Sequence, residues 1–281
     1  MNLAVLEKKL RSETGYNWTI GLSTLISPHD PASGVEEILS AGVGVRRIEI
    51  ALAKQLEKEE NTVSKLRRLK EENDLIYSVH APFLYDNLAH PKDRIREIYV
   101  EEGVKAIDLA ASIGAHQTVF HPGELFFRNN LPPLEVFKPF RKSRESYLKS
   151  SLASLRKLAK HGSRKEVNLL VENLPHGLCD RSDEISYLLS RLQGSEFILD
   201  IGHANISESL EELLGLEPKY FHFNDNDGES DEHLPLGKGN INIEKLMDLL
   251  QGYPGDKTII LELYSLDDLL ASLEVLKKSL I

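Results

Sequence analysis

Residues 220–240 contain the side chains that most clearly point to chemistry. The stretch reads Y-F-H-F-N-D-N-D-G-E-S-D-E-H-L-P-L-G-K-G-N, so an apolar run carrying His222 leads into a loop carrying Asp231 and His233. Imidazole and carboxylate groups together are ligands that divalent transition metals bind. A solvated acidic loop has a similar composition, so this stretch alone leaves both interpretations open.

Five further short apolar runs each end in a side chain that can bind a metal. They are Y-S-V-H ending at His80, T-V-F-H at His121, L-L-V-E at Glu172, F-I-L-D at Asp200 and I-I-L-E at Glu262. His203 follows shortly after Asp200, and Cys179 is the only cysteine, which excludes a cysteine-based metal site. The mixture of imidazole and carboxylate suits Zn or Mn, and Fe, Co and Mg are compatible with it.

The elements that must position these residues follow an alternating pattern. Strands are predicted at 20–26, 47–51, 76–80, 118–121, 168–172, 197–200, 220–223 and 258–262. Helices are predicted at 35–41, 59–72, 94–112, 143–161, 182–192, 207–214, 243–250 and 266–280, with helix ends at Gly42, Gly114, Gly162 and Gly194. Eight such units predict an α/β fold, a (β/α)8 barrel, as one domain over residues 1–281. An open doubly wound sheet is the alternative, but no G-x-G-x-x-G follows the first strand.

In such a barrel the C-terminal ends of the strands meet in one bowl, where active sites of this fold lie. The candidates would therefore face a single cavity, although any one of them alone would more often be a rim residue making a hydrogen bond. Carboxylates crowded together repel each other unless a cation or a proton compensates. The set as a whole therefore predicts a site for one to three divalent ions. Residues 122–142 are predicted to lie over the mouth of the bowl, where their aromatic residues either cover a substrate or pack on the rim.

Composition sets further expectations. The chain has 281 residues, 41% hydrophobic and 28% charged, and a formal net charge of −10, which argues weakly against a nucleic-acid partner. Residues 1–17 read as a helical extension that is too charged for a signal peptide, and no apolar run is long enough to span a membrane. A cytoplasmic location without a membrane partner is expected, with the oligomeric state open.

Several of these motifs resemble the xylose isomerase-like TIM-barrel superfamily, which includes sugar and sugar-phosphate isomerases or epimerases and the endonuclease IV (AP endonuclease family 2) enzymes. They are H-A-P-F, F-H-P-G, V-E-N, L-D-I-G-H, H-F-N-D and D-E-H-L-P-L-G-K-G-N-I. The endonuclease resemblance implies a trinuclear zinc site. Its ligands would be His80, His121, Glu172, Asp200, His203, His222, Asp231, His233 and Glu262.

The isomerase branch implies a different use of the same residues. Glu172, Asp200, His222 and Glu262 would bind one ion, Glu172 and Glu262 would also carry the substrate proton, and His203 would contact the substrate. Glu49, His80, His233 and Lys238 are the predicted substrate-binding residues in this case.

Departures from the endonuclease pattern place the isomerase interpretation first. The opening strand reads I-G-L-S-T-L-I rather than G-A-H-V-S, and R-R-I-E-I puts Glu49 near the site as in isomerases. The expected activity is metal-dependent isomerisation or epimerisation of a sugar or sugar phosphate. The alternative is cleavage of DNA at abasic sites, which Phe83 and Leu84 favour because they align with a DNA-contacting segment. The number of bound ions separates the two, because several ions favour the alternative.

Overall fold

The protein, analysed as a computed structural model that describes residues 2–53, 59–84, 86–125 and 143–279, forms a closed barrel of eight parallel strands in sequence order. Each strand pairs with its neighbours, and β8 closes the barrel by pairing with β1. The strands are β1 (Trp18–Ser23), β2 (Arg47–Ala51), β3 (Ile76–His80), β4 (Gln117–Phe120), β5 (Asn168–Glu172), β6 (Glu196–Asp200), β7 (Tyr220–Phe223) and β8 (Lys257–Leu261). The predicted (β/α)8 fold is confirmed.

Helices connect and surround the strands. They are α1 (Leu3–Thr14), α2 (Pro31–Ser40), α3 (Glu59–Asn73), α4 (Asp93–Ser112), α5 (Arg144–Arg164), α6 (Ser182–Leu189), α7 (Ile201–Ile206), α8 (Leu210–Leu214), α9 (Ile243–Gly252) and α10 (Leu266–Lys278). α1 packs on β1: Leu3, Leu6 and Leu10 are buried, and the Glu7 carboxylate accepts the backbone N–H of Ile20 at 2.8 Å.

Two predicted elements differ from the structure. The first strand ends at Ser23, and residues 24–26 form a 3-10 turn, because the Ser23 hydroxyl accepts the N–H of Leu25 and so caps a helical turn. The helix predicted at 207–214 is shorter, α8 at 210–214, and it is preceded by a helix that was not predicted, α7 at 201–206. α7 begins directly after β6 because the Asp200 carboxylate accepts the N–H of His203 at 2.7 Å.

The predicted helix-ending glycines have two different roles. Gly42, Gly114 and Gly194 adopt positive φ angles of 65°, 67° and 76°, as a residue after a helix often does. The prediction for Gly162 is wrong, because this residue lies buried inside α5. A Cβ there would come within 2.4 Å of the Val167 carbonyl oxygen, so glycine lets α5 approach the chain that enters β5.

The barrel interior is filled in layers, as expected for this fold. Val119, Leu170 and Ile198 form a buried apolar cluster inside the barrel, and Tyr220 packs against it. Nearer the N-terminal ends of the strands, the Arg47 guanidinium donates to the Gln117 side chain. The apolar layer therefore forms a floor beneath the C-terminal ends, where the predicted site residues lie.

Two sequence expectations depend on other parts of the chain. Most of the loop predicted over the bowl, residues 126–142, lies outside the described residues. Among the helices that the structure describes, none combines the length and the apolar character that a membrane crossing requires.

Candidate metal centre

The structure brings all the predicted metal ligands together at the C-terminal end of the barrel. They form overlapping groups in which one ligand atom from each residue lies within 4.8 Å of the others. The groups are His80, His121 and Glu172; Glu172, Asp200, His222 and Glu262; His80, His222 and Glu262; and His203, Asp231 and His233. These residues lie at the C-terminal ends of six strands, in α7 and in the loop after β7, so the groups exist only when the barrel is closed.

Glu172 belongs to two of these groups through its two oxygens. Oε2 lies 3.1 Å from Nε2 of His80 and 3.2 Å from Nε2 of His121, whereas Oε1 lies 3.0 Å from Nδ1 of His222. The carboxylate is fully buried at the end of β5. Burial alone would raise its pKa, but the charges of His222 and His121 and their hydrogen bonds outweigh burial and hold the pKa of Glu172 well below its usual value. Such a carboxylate is suited to bridging two cations.

Asp200 is held by two asparagines, neither of which was among the predicted site residues. The Asn173 side chain accepts the Asp200 N–H and donates to the Asp200 carbonyl oxygen, both at 2.9 Å. The Asn224 amide donates to Oδ2 of Asp200 at 2.9 Å. Asn173 directly follows the candidate ligand Glu172, and Asn224 stands two residues after His222; this closeness in sequence is the signal that could have identified them.

The third group is centred on Asp231. Oδ2 of Asp231 lies 3.2 Å from Nε2 of His203, and Oδ1 lies 3.4 Å from Nε2 of His233. The loop carrying Asp231 and His233 is held by Asp225, whose buried carboxylate accepts the backbone N–H groups of residues 226, 237, 239 and 241. The backbone N–H groups of the glycines at 237 and 239 therefore hold the loop in place by donating to Asp225.

Three of the histidines are oriented by backbone carbonyls. Nδ1 of His80 lies 2.8 Å from the Ala81 oxygen, Nδ1 of His203 lies 2.9 Å from the Asn173 oxygen, and Nδ1 of His233 lies 2.8 Å from the Glu262 oxygen. Because a carbonyl only accepts, Nδ1 must carry the hydrogen, and Nε2 of each neutral ring is left with a lone pair facing the cluster. A second nitrogen held in this way is the usual arrangement of metal-binding histidines.

The charges of the cluster also fit a cation. Burial disfavours charged imidazoles, but the hydrogen bond and charge of Glu172 raise the pKa of His80 to about 9, and Asp231 does the same for His233. The pKa values of His203 and His222 are also raised, against burial, by neighbouring carboxylates, whereas burial lowers the pKa of His121. Without metal, protons on the histidines offset the carboxylates. Divalent ions can take over that function, so the donor set fits them.

The other predicted substrate-binding residues lie in different surroundings. Glu49 is 1% exposed, and its carboxylate accepts the Ser78 hydroxyl and lies 2.9 Å from Nε2 of His222. It therefore lies beneath the cluster, which argues against direct contact with a substrate. Lys238 is exposed on the turn after His233, and its substrate contact stays a prediction.

Two aromatic side chains, of which only Phe83 was noticed in the sequence, border the cluster. The Phe83 ring centroid lies 5.3 Å from that of His80, and the Tyr264 ring centroid lies 5.0 Å from that of His233. Tyr264 is 55% exposed, and partial burial raises the pKa of its hydroxyl to about 12, so the hydroxyl stays protonated at neutral pH. Its sequence signal is its place just after Glu262.

Comparisons with known proteins find relatives in sequence and in fold. An uncharacterized protein of Methanocaldococcus jannaschii is 29% identical over 75% of this chain and 80% of its own length. A protein of Aquifex aeolicus described as "Probable endonuclease 4" is 31% identical over 62% of this chain and 64% of its own length. The solved structure of a D-tagatose 3-epimerase-like protein is 26% identical, with a TM-score of 0.74 over 93% of this chain and 97% of that one. Residues 39–279 match the model of the xylose isomerase-like TIM barrel, and the chain belongs to that family.

Proposed function

We propose that the protein is a divalent-metal-dependent phosphodiesterase with a multinuclear site, acting on DNA at abasic sites. The observation that carries this proposal is the position of Glu172, whose two oxygens face two different ligand groups. The sequence placed sugar isomerisation first and abasic-site cleavage second. The side-chain geometry favours the reverse order.

The third ligand group supports the same conclusion. A single ion bound by Glu172, Asp200, His222 and Glu262 would leave Asp231 without a ligand role. Instead, Asp231 lies between His203 and His233, and both imidazoles direct Nε2 toward it. Two or more adjacent groups suit in-line displacement at phosphorus, in which attacking and leaving oxygens both need charge compensation.

The residues would divide the work as follows. His80, His121 and Glu172 would hold one ion, Glu172, Asp200, His222 and Glu262 a second, and His203, Asp231 and His233 a third. When bound, divalent ions lower the pKa of water and offset negative charge on phosphate oxygens. The Tyr264 hydroxyl, protonated at neutral pH, lies at the rim, where it can donate to a phosphate oxygen.

Features of the rim support a nucleic-acid substrate. The Phe83 ring borders the cluster and Leu84, the next residue, is 46% exposed, so a base or a deoxyribose could rest against these apolar side chains. Exposed apolar groups next to a polar site often mark ligand contacts. The relative described as an endonuclease supports the same class of substrate.

The test is incubation of a duplex containing one abasic site with protein loaded with Zn²⁺ or Mn²⁺. We expect strand cleavage at the site and two or three ions per chain by elemental analysis. Glu172→Gln should abolish cleavage and reduce the ion count. Glu229→Gln, an exposed acid on the same loop as Asp231, should behave like wild type. An intact duplex at enzyme excess with either metal would refute the proposal.

Sugar isomerisation or epimerisation is the second candidate, and a specific observation favours it. Glu172 and Glu262 both approach Nδ1 of His222, at 3.0 Å and 3.3 Å, so two carboxylates flank one position as proton carriers would. The similarity to a D-tagatose 3-epimerase-like protein agrees with this arrangement.

The test is exchange of the proton next to the carbonyl of ketoses and ketose phosphates with deuterated water. Glu262→Gln should stop that exchange while the protein stays folded.

A further inference from the structure

His222 is oriented differently from the other histidines of the cluster. His80, His203 and His233 each use Nδ1 to donate to a backbone carbonyl, which leaves Nε2 facing the cluster. His222 instead presents Nδ1 to Glu172 and Glu262. It stands within β7, whose backbone pairs with β6 and β8 on both sides. The carbonyls of the sheet are engaged in that pairing, so the second nitrogen of His222 needs a side chain as its partner.

Glu49 is positioned to be that partner. Its Oε1 lies 2.9 Å from Nε2 of His222, and both atoms are buried. In the described parts of the chain neither atom has a hydrogen-bond partner, so each is a buried polar atom whose nearby complementary group is the other. The Ser78 hydroxyl donates to the other oxygen of Glu49 at 3.0 Å and so fixes the carboxylate from the neighbouring strand. β2 and β7 are not neighbours in the barrel, so this contact crosses the barrel interior.

We propose that Glu49 is a positioning residue that receives the Nε2–H of His222 and thereby presents Nδ1 to a divalent ion shared with Glu172, Asp200 and Glu262. The inference rests on the metal site of the proposed function but not on the reaction, because both candidate reactions use this ligand group. It assigns Glu49 a role different from the substrate contact that the sequence suggested.

The choice of a carboxylate as acceptor has a physical consequence. A charged acceptor makes a stronger hydrogen bond than a carbonyl and makes the ring a better donor of its lone pair to a cation. Residues with this role typically change metal affinity about 10- to 100-fold when they are replaced. The effect should be confined to the ion that His222 binds, because Glu49 contacts no other ligand within hydrogen-bonding distance among the described residues.

The first experiment is titration of the metal-stripped protein with Zn²⁺ in competition with a chelator. In Glu49→Ala one ion should bind about 10- to 100-fold more weakly, while the affinities of the other ions stay as in wild type. Glu49→Gln keeps an acceptor oxygen and should lose less. Ser78→Ala should shift the same ion in the same direction by a smaller factor. Glu184→Gln removes another buried carboxylate, which accepts the Cys179 N–H, and should lower the Tm without changing Zn²⁺ affinity.

The second experiment separates positioning from a general structural effect. In Zn²⁺-loaded protein labelled with ¹⁵N-histidine, His222 should show a metal-bound Nδ1 and a protonated Nε2, assigned by comparison with His222→Gln. A metal-bound Nε2, or wild-type Zn²⁺ affinities in Glu49→Ala, would overturn the inference while leaving the proposed function standing. A wild-type protein that binds no Zn²⁺ would overturn both.

Discussion

Nε2 of His203 lies 3.2 Å from Oδ2 of Asp231, although His203 belongs to the helical turn after β6 and Asp231 to the loop after β7. The contact is formed because Asp200 starts α7 directly at the strand end and because Asp225 holds the second loop through backbone N–H groups. A pair built from two separately fixed loops is characteristic of a site rather than of a chance surface contact. A ligand role for Asp231 would distinguish a multinuclear centre from one that binds a single ion.

Replacing Asp231 with Asn should therefore remove one ion from the site. The substitution keeps the shape of the side chain but removes the charge that His203 and His233 share. We expect the Zn²⁺ content to fall by one ion per chain and activity on an abasic-site duplex to fall at least about tenfold. Elemental analysis and a cleavage assay measure the two effects. Unchanged metal content in this variant would argue against a ligand role for the third group.

The stability of the metal-free protein should depend on pH in a defined direction. The pKa values of His80 and His233 are raised to about 9 in the folded protein, from an ordinary value of 6.5. A raised histidine pKa contributes stability that is fully present below pH 6.5 and is lost as the pH rises through about 9. The Tm of metal-stripped protein should therefore fall between pH 6.5 and 9.5.

The matched variants for this prediction are His80→Gln and His233→Gln. Each should flatten the pH dependence of the Tm, because each removes one of the groups whose proton is held by the fold. A Tm of the metal-stripped wild-type protein that rises over the same range would contradict the assignment of charge in the cluster.

The sequence predicted the features that depend on residues close together in the chain. It missed contacts between elements that are far apart in the sequence. The strand ends at His80, Glu172 and Asp200 were predictable because alternating apolar runs predict a barrel and a barrel collects the ends of its strands. The contact between Glu49 and His222 was not predictable, because it depends on the register of strands on different sides of the barrel.

The same limit explains smaller differences. Gly162 has the sequence context of a helix end, and only the approach of α5 to the chain entering β5 shows why glycine is required inside the helix. α7 begins early because the Asp200 carboxylate caps it. The sequence could not show this, because a carboxylate at a strand end can either cap a helix or only bind a cation. In the structure it makes the capping bond. One-dimensional patterns identified the candidate ligands but not the residues that hold them in place.

Gly202 should tolerate no side chain. A Cβ at this position would lie 1.8 Å from Oδ1 of Asn224, whose amide also holds Asp200. Gly202→Ala should therefore lower the free energy of unfolding by about 1–3 kcal/mol and weaken Zn²⁺ binding.

Gly252→Ala is the matched control, because a Cβ there meets nothing within 4 Å. It should change stability by no more than about 1 kcal/mol. Chemical denaturation of both variants gives the comparison, and equal stabilities would show that Asn224 can move without cost.

Zn²⁺ binding should release protons at neutral pH. Because the pKa values of His80 and His233 are about 9 in the metal-free protein, both rings carry a second proton at pH 7 that must leave before Nε2 can bind a cation. Calorimetric titration in two buffers with different ionisation enthalpies measures the number of protons released. We expect more protons to be released at pH 7 than at pH 9.5, and His80→Gln to release fewer than wild type at pH 7. Equal release at both pH values would mean that these histidines are neutral before the metal arrives.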